Sequence, residues 1–599
     1  MMATDETSLA LFVEWRRAAP DHGRMSVEAR GRLAGPTCRA GGQSVAVSRD
    51  GSVAVTAICQ SVGAPEDAAT TVLRQYESRG ASAIDSFARE AAVAIIDLGQ
   101  RRLIVRGDRM GRARIHYRVA DDCVRAGTDL RDIAGDPTAR TLAHQAIYDY
   151  VYFHAVPAPL SIDPDVSVLP IGAALIADSH VVALEAAPAP DWRPNPGDPD
   201  IVARQLVDRL RNAVVHCIPA GETQVACFLS GGLDSSSVAG LASERLGGPN
   251  VHAFSIGFAE PRYDESEFAA AAARQFGIQW HRHELGPDAV ADSLDDIIGA
   301  MPEPFGNSSA VAVYHCARQA RLAGFTHMLA GDGGDEIFGG NSRYAKQLVF
   351  ERYLRVPAFL RKWAVEPAIR LAVASGAGLA RKASSYVTQA NVRLPDRLQS
   401  YNYLHRHASD EVFTDAFLQL VDTGEPLALL RQEYGSCASD DSVNRMLQLD
   451  WRFTLHDNDL VKVNSMCRAA GVTVAYPMLD DDLVALACTL PGNWKVRQGE
   501  LRWLYRRAMR GILPDKIIDK TKHGFGLPFG VWTQTHERLR YMAEQALVDL
   551  RRRGIFRAAF LDEALARHRS LHASYYGELI WVLAVLELWL QKNAPGSGV

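Results

Sequence analysis

The sequence predicts two unlike domains, a strand-rich one first and then an α/β one built on a parallel sheet. Three observations point to this. Up to about residue 187 the segments are short, and they alternate around turns such as the Asp-Gly of QSVAVSRDGSVAV. Residues 188–200 then contain Pro188, Pro190, Pro194, Pro196 and Pro199, a run that excludes helix and interior strand. Beyond it, apolar strand-like runs alternate with segments of helical period. The expected domains are therefore 1–187 and 201–599, with 188–200 as linker, and 599 residues are too many for one core.

Each element follows in order. AAVAIIDLGQRRLIVRGDRMG predicts two N-terminal strands. After the linker, IVARQLVDRLRNAVVHCI has helical spacing, TQVACFL reads as a buried strand, and SSVAGLASERLG as a helix ending at glycine. VHAFSIGF is a strand, EFAAAAARQFG a helix and IQWHRHEL a strand. SSAVAVYHCARQARLAGF is a helix leading into the strand THMLA. From about residue 345 onward the segments are expected to be mainly helical. Such alternation implies a parallel sheet covered on both faces.

Composition excludes several classes. Apolar residues make up 47 %, charged residues 23 %, and the net charge of −5 shows no overall basic excess for a nucleic-acid partner. The Arg551, Arg552, Arg553 cluster reads as a solvated helix face. Nine scattered cysteines form no C-x-x-C pair, so neither a disulfide framework nor a zinc site is expected, and a reducing cytoplasm fits. The N-terminus does not read as a signal peptide. IWVLAVLELWL is shorter than a membrane span and contains Glu587. A soluble cytoplasmic protein with no nucleic-acid and no membrane partner is expected.

The chemistry is concentrated at strand ends. CFLSGGLDSSSVAG lies between a strand and a helix, where an open α/β sheet binds its ligands. Gly231 and Gly232 admit close backbone approach, and the helix N-terminus suits phosphate. The hydroxyls of Ser230, Ser235 and Ser236 add donors. No lysine is present, so the loop is not a Walker P-loop, and Asp234 beside a phosphate calls for Mg²⁺. After THMLA comes Gly331, Asp332, Gly333, Gly334, Asp335, Glu336, whose carboxylates could complete a metal site with Asp234 and stand near the reacting centre. In KTKHGFGLPFG, Lys522 lies beside glycines and could reach an anionic intermediate. His281 and His283 share one face of a strand but, without further ligands nearby, read as structural rather than zinc-binding.

The string S-G-G-L-D-S-S resembles the pyrophosphate-binding loop of the ATP pyrophosphatase (PP-loop) superfamily. With PEPFGNSSAVAVY, LAGDGGDEIFGG, DLVKVNSMCRAAGVTVAYPMLDDDLVALACTLP, KTKHGFGLP and the terminal ELIWVLAVLELWLQ, in that order, the chain resembles the asparagine synthetase family over most of its length. Residues 1–187 resemble its glutaminase domain. The resemblance implies an α/β C-terminal PP-loop (adenine nucleotide α-hydrolase-like) domain with a helical C-terminal part. It also implies an N-terminal α+β glutaminase-like (Ntn-hydrolase-like) domain.

The activity it implies is adenylation of a carboxylate by ATP with Mg²⁺, then attack by an amine to give an amide and AMP. Ser230, Gly231, Gly232, Asp234, Ser235 and Ser236 would hold pyrophosphate, and Asp234 and Asp335 Mg²⁺. Leu229, Ile256 and Gly331 would line the adenosine site. Lys522 would stabilise charge, and Asp332 would take the amine's proton or orient the group that does.

Two departures redirect the reading. The family's glutaminase chemistry needs an N-terminal cysteine, whereas this sequence starts Met1-Met2-Ala3 and its first cysteine is Cys38, so glutamine hydrolysis is expected to be lost. The family's substrate stretch, approximately D-R-M-S-M-A-x-S-L-E-x-R, has Thr473 and Ala475 here in place of Glu and Arg, which implies an acyl substrate other than free aspartate. Two branches of the family form amides within one substrate, β-lactam synthetases and lasso peptide cyclases, and the second is favoured. It implies macrolactam closure of a short precursor peptide, with a leader-binding protein and a leader peptidase as partners. The alternatives are an ammonia-dependent asparagine synthetase, a β-lactam synthetase-like enzyme, a PP-loop enzyme acting on tRNA, and an inactive nucleotide-binding scaffold.

Overall fold

The computed structural model of the chain describes residues 11–596, apart from the short stretches 17–25, 29–31, 36–37, 42–43, 60–64, 84–90, 122, 135–139, 179, 187–191, 195–196, 375–377, 521–525 and 571–572. Its first part holds two antiparallel sheets, of seven and six strands among the described residues. The Asp-Gly hairpin joins Ser44–Val47 to Val53–Cys59, with Asp50 accepting from the Ser48 and Ser52 hydroxyls at 2.7 Å each. Strands Ala91–Asp97 and Arg102–Arg106 pair as neighbours.

Alternation along these strands sends one set of side chains between the sheets. Val13 and Trp15 of one sheet meet Ala94, Leu103 and Val105 of the other. The opposite set, Val55, Val93 and Ile95, is covered by the helix Pro65–Arg79 through Val72, Leu73 and Tyr76. That helix and His144–Phe153 were not read from the sequence, which suggested only strands and turns here. The second is apolar nearly all round because it is buried in the main core.

The second part contains five parallel strands, in the order Gln279–Glu284, Val251–Gly257, Val225–Phe228, His327–Leu329, Thr473–Ala475. The first four match the sequence expectation, with helices Leu233–Leu246, Ser266–Phe276 and Ser309–Leu322 between them. Each of the first two ends at a glycine cap, Gly247 and Gly277. The fifth strand is an addition to the mainly helical segments expected after about residue 345. Thr473–Ala475 is too short to show a period, yet it pairs with His327–Leu329 along its whole length. The helix beginning at Pro199 likewise trims the 188–200 linker from its C-terminal side, Asp198 accepting from Asp200 and Ile201 N–H groups.

The strand order reverses between Val225–Phe228 and His327–Leu329. Loops leaving those two strands must diverge, and a crevice opens between them. Helices from Ser342–Leu354 to Ala573–Asn593 make up most of the remaining chain, and from among them Lys462, Val463 and Arg506 line the crevice. In the last of them Glu587 is buried and paired with Arg553, Nη2 to Oε1 3.0 Å. No helix among the described residues is long and apolar enough to cross a membrane.

The two parts meet at a buried ionic knot. Arg114, from the first part, reaches Asp457 at 2.7 Å, Glu303 at 3.2 Å and the Val156 carbonyl at 2.9 Å. Asn464 donates to the Arg112 carbonyl at 2.6 Å beside it.

Candidate active site

At the crevice lies a cavity of about 600 Å³. Its walls include Leu229, Ser230, Gly232, Asp234, Ser235, Ile256, Gly331, Asp332 and Asp335, so nine residues selected from the sequence converge on one space. The loop after Val225–Phe228 is shaped by its own hydroxyls. Ser235 Oγ accepts from Ser230 N–H at 3.2 Å and lies 3.0 Å from Ser230 Oγ, which accepts from Gly232 N–H at 3.3 Å. The helix that follows has no side-chain cap at Gly232, so its first-turn N–H groups are left for an anion.

Two expected members of the loop play a different part. Gly231 has φ +70°, and a Cβ there would lie 2.5 Å from Ala269 N and 2.6 Å from Phe268. Its lack of a side chain serves packing against the helix Ser266–Phe276 rather than approach to a ligand. Ser236 is wholly buried and does not line the cavity. One residue on from Ser235, the helix turns its side chain by about 100°, into the core, where its hydroxyl has no hydrogen-bond partner.

Asp234 and Asp335 come together across the crevice around a cation already present, the guanidinium of Arg502. Its Nη2 is 3.0 Å from Asp234 Oδ2 and in contact with Asp335 Oδ1. Asp234 Oδ1 is buried without a hydrogen-bond partner. Burial raises the Asp234 pKa and Arg502 opposes this. Two hard carboxylate oxygens converging on one positive charge suit a divalent cation, so these residues fit Mg²⁺. Arg502 itself sits in the left-handed region, φ +54°, after the tight hairpin of Val496–Arg497 with Glu500–Leu501.

One wall of the cavity is acidic. Asp332 and Glu336, of the glycine-rich loop, share this wall with Asp459 and Lys462. Lys462 Nζ donates to Asp459 at 2.6 Å. Burial pushes Asp332 up to about 6, with Lys462 pulling the other way, and pushes Glu336 up to about 8. Burial would lower Lys462, but Asp459 and Asp332 outweigh it and its pKa rises. Asp459 ends a π-helical segment, Asp450–Asp459, which re-aims the chain before helix Leu460–Ala469.

Lys522 lies outside the described residues. Lys520, two positions before it, stands over the Phe268 ring, 3.0 Å from Glu265 and 3.4 Å from the Gly231 carbonyl, at the cavity wall. Thr473 and Ala475 do not line the cavity: Thr473 Oγ1 is 2.9 Å from His327 Nδ1, and Ala475 is buried against the neighbouring strand. His281 Nε2 lies 3.0 Å from His252 Nδ1 and His283 stacks on His315, away from the cavity.

Sequence reasoning missed Arg502, Lys520, Asp459 and Lys462 as cavity residues. The last two carry a signal, an acid and a lysine three apart and so neighbours on one helix face. Arg502 carries none, being one of several arginines in LRWLYRRAMR.

A model of the asparagine synthase family matches residues 205–591. The chain is 23 % identical over 495 residues to a glutamine-hydrolyzing asparagine synthetase of Bacillus subtilis, covering 81 % of this chain and 74 % of that one. It is 24 % identical over 484 residues to a putative asparagine synthetase of Mycobacterium tuberculosis, covering 77 % and 69 %. Amidase chyE of Penicillium rubens is 24 % identical over 307 residues, 47 % of this chain and 44 % of that one.

Proposed function

This chain belongs to the asparagine synthase family and has that family's ATP- and Mg²⁺-dependent, AMP-forming ligase chemistry; from this premise we propose which residues perform it and on what substrate. The observation supporting the assignment is the convergence of Ser230, Asp234, Ser235 and Asp335 on one cavity at the switch point of the sheet. In this reading the Ser230–Ser235 loop and the uncapped helix behind it bind the β- and γ-phosphates, with Lys520 on the same cavity wall. A divalent cation held by Asp234 and Asp335 would neutralise phosphate charge. Leu229, Ile256 and Gly331 border the adenosine.

The carboxylate oxygen of the acyl substrate attacks the α-phosphorus and pyrophosphate leaves. The amine nitrogen then attacks the acyl carbon, AMP leaves with the bond electrons, and Asp332 accepts the proton the nitrogen sheds. Lys462, held by Asp459, sits on the same wall and can hold Asp332 in its ionised form. We extend the proposal to the first domain, 1–187, as glutaminase-like and Ntn-hydrolase-like in fold. Its two stacked antiparallel sheets support the fold.

For the substrate, the names of the relatives favour asparagine formation from aspartate and ammonia. One observation favours a second reading. Thr473 and Ala475 stand where the family has Glu and Arg, and neither side chain brings charge to the cavity. Macrolactam closure of a short peptide, by its own N-terminal amine on an Asp or Glu side chain, needs neither free aspartate nor ammonia. A leader-binding protein and a leader peptidase would then supply the peptide.

The deciding assay measures AMP release from ATP and Mg²⁺ with two substrates side by side, aspartate plus ammonium and the leader-free peptide encoded nearest this gene. AMP with a peptide product lighter by one water establishes the cyclase. Asparagine with AMP establishes the synthetase and removes the cyclase. Silence with both sinks the ligase assignment for the isolated chain.

A further inference from the structure

Residues 346–397 contain ten Lys and Arg against three Asp and Glu, +7 in a chain whose net charge is −5. The same region is unusually apolar on its surface. Of the fifteen large hydrophobic side chains exposed among the described residues, seven fall between Val349 and Tyr401. Most belong to one continuous helical stretch, 358–374, built from Ala358–Leu360, a π-helical Arg361–Val365 and Glu366–Ala374. At ~1.5 Å per residue it is about 25 Å long.

One side of this helix packs on Gly378–Asn391, with Val365 and Ile369 half-buried. The other side shows solvent an almost purely apolar stripe: Phe359, Leu360, Trp363, Ala364, Pro367 and Leu371. Trp363 is 84 % exposed, Leu371 75 % and Phe359 63 %. Lys362 and Arg370 edge the stripe, and Arg381 and Lys382 lie exposed at the start of the next helix. Isolated exposed leucines are ordinary; a stripe with helical spacing and a tryptophan in it marks an interaction surface.

We propose that this face docks the protein onto the surface of an anionic phospholipid bilayer, the helix lying in the headgroup plane. Charge selects the partner. A second copy of the same face would set Lys362, Arg370, Arg381 and Lys382 against like charges, whereas an anionic surface attracts them at about 1 kcal/mol per nearby Lys or Arg. The chemistry of the stripe selects lipid over an acidic protein. Protein interfaces carry about one hydrogen bond per 100–200 Å², and apart from the Trp363 indole N–H these six side chains have no polar atom to offer. A helical stretch with exposed Trp, Phe and Leu between basic residues matches the interfacial pattern. The sequence expectation of no membrane partner rests on the lack of a spanning segment, and among the described residues no helix is long and apolar enough to cross a membrane.

Co-sedimentation of the full chain with vesicles tests this. The protein should pellet with phosphatidylglycerol/phosphatidylcholine vesicles, stay in solution with phosphatidylcholine alone, and be released by high salt. Trp363→Ser with Leu371→Ser should lower the bound fraction roughly tenfold, with circular dichroism and ATP–pyrophosphate exchange unchanged. Arg381→Glu with Lys382→Glu should do the same through charge. Wild-type protein remaining in solution with anionic vesicles, or variants that bind as wild type does, would overturn the proposal. So would a dimer in sedimentation velocity that the serine variant dissolves, which would mean a second copy covers the stripe. Binding to polyglutamate without binding to vesicles would equally overturn it, in favour of an acidic protein partner.

Discussion

Arg502 Nη2 lies 3.0 Å from Asp234 Oδ2 and also contacts Asp335, so one guanidinium occupies the position between two carboxylates that a divalent cation would take. In the proposed mechanism arginine and metal would therefore compete for the same oxygens, and Mg²⁺ held by Asp234 and Asp335 would displace a largely buried ion pair. Arg502→Ala should lower the half-saturating Mg²⁺ for ATP–pyrophosphate exchange by about tenfold, the equivalent of ~1.4 kcal/mol. It should also raise the KM for ATP. Titrating Mg²⁺ at saturating ATP separates the two effects, and an unchanged Mg²⁺ requirement would remove Arg502 from the competition.

Asp332 governs the second half-reaction in the proposed mechanism. Its carboxyl is pushed up to about 6 by burial, so the ionised form that accepts a proton fills as pH rises through 6. Amide formation should rise across that range. Asp332→Asn should reduce amide formation about 10²–10⁴-fold while ATP–pyrophosphate exchange, which needs no base, survives. Linkage fixes the sign for stability. A folded pKa above the unfolded one means stability is full below about 4 and is lost as pH rises through about 6. Thermal melts should therefore show the Asn variant more stable than wild type at pH 8 and similar to it near pH 4.

Much of the fold and part of the site could be read from the sequence, and the division has physical causes. Strands of four to seven residues flanked by glycine, such as Val225–Phe228 and Val251–Gly257, announce themselves through burial on both faces. Thr473–Ala475 has three residues and becomes a strand only because His327–Leu329 offers it an edge. Among site residues, Asp234, Asp332 and Asp335 are legible because acids among glycines at a strand end have no packing role. Arg502 is not legible, since its place is set by a hairpin and a left-handed backbone far along the chain. Gly231 is legible as a backbone position, but its close neighbours Phe268 and Ala269 are not, since they come from a different helix.

That last point has a measurable consequence. Gly231→Ala places a Cβ 2.5 Å from Ala269 N in a left-handed conformation, so both strain and overlap oppose it. The expected cost is about 1–3 kcal/mol, with the KM for ATP rising because the loop and the helix Ser266–Phe276 must separate. Gly221→Ala has φ +83° but nothing within 4 Å, and controls for backbone strain alone. Equal melting points for the two variants would show that the Phe268–Ala269 contact does not matter.

Arg114 sets the last test, because it joins the two parts of the chain at a point close to the chemistry. Its guanidinium satisfies Asp457, Glu303 and the Val156 carbonyl, all buried. Removing one partner of such a cluster leaves carboxylates unpaired in the interior, which typically costs about 3–5 kcal/mol. Asp457 is two residues before Asp459, in the same π-helical segment, so its release should also loosen the wall that holds Lys462. Arg114→Ala should therefore lower the melting point and depress amide formation more than ATP–pyrophosphate exchange. The pH dependence has a definite sign. Burial would raise Glu303, but His116 and Arg114 outweigh it and hold the carboxyl down at about 2. A depressed folded pKa means stability is present above the unfolded value of about 4.3 and is lost as pH falls toward 2. Wild type should thus lose stability steeply between pH 4 and pH 2, and Arg114→Ala less steeply over the same range. Parallel curves for the two proteins would mean that Glu303 owes its acidity to His116, and that Arg114 serves Asp457 alone.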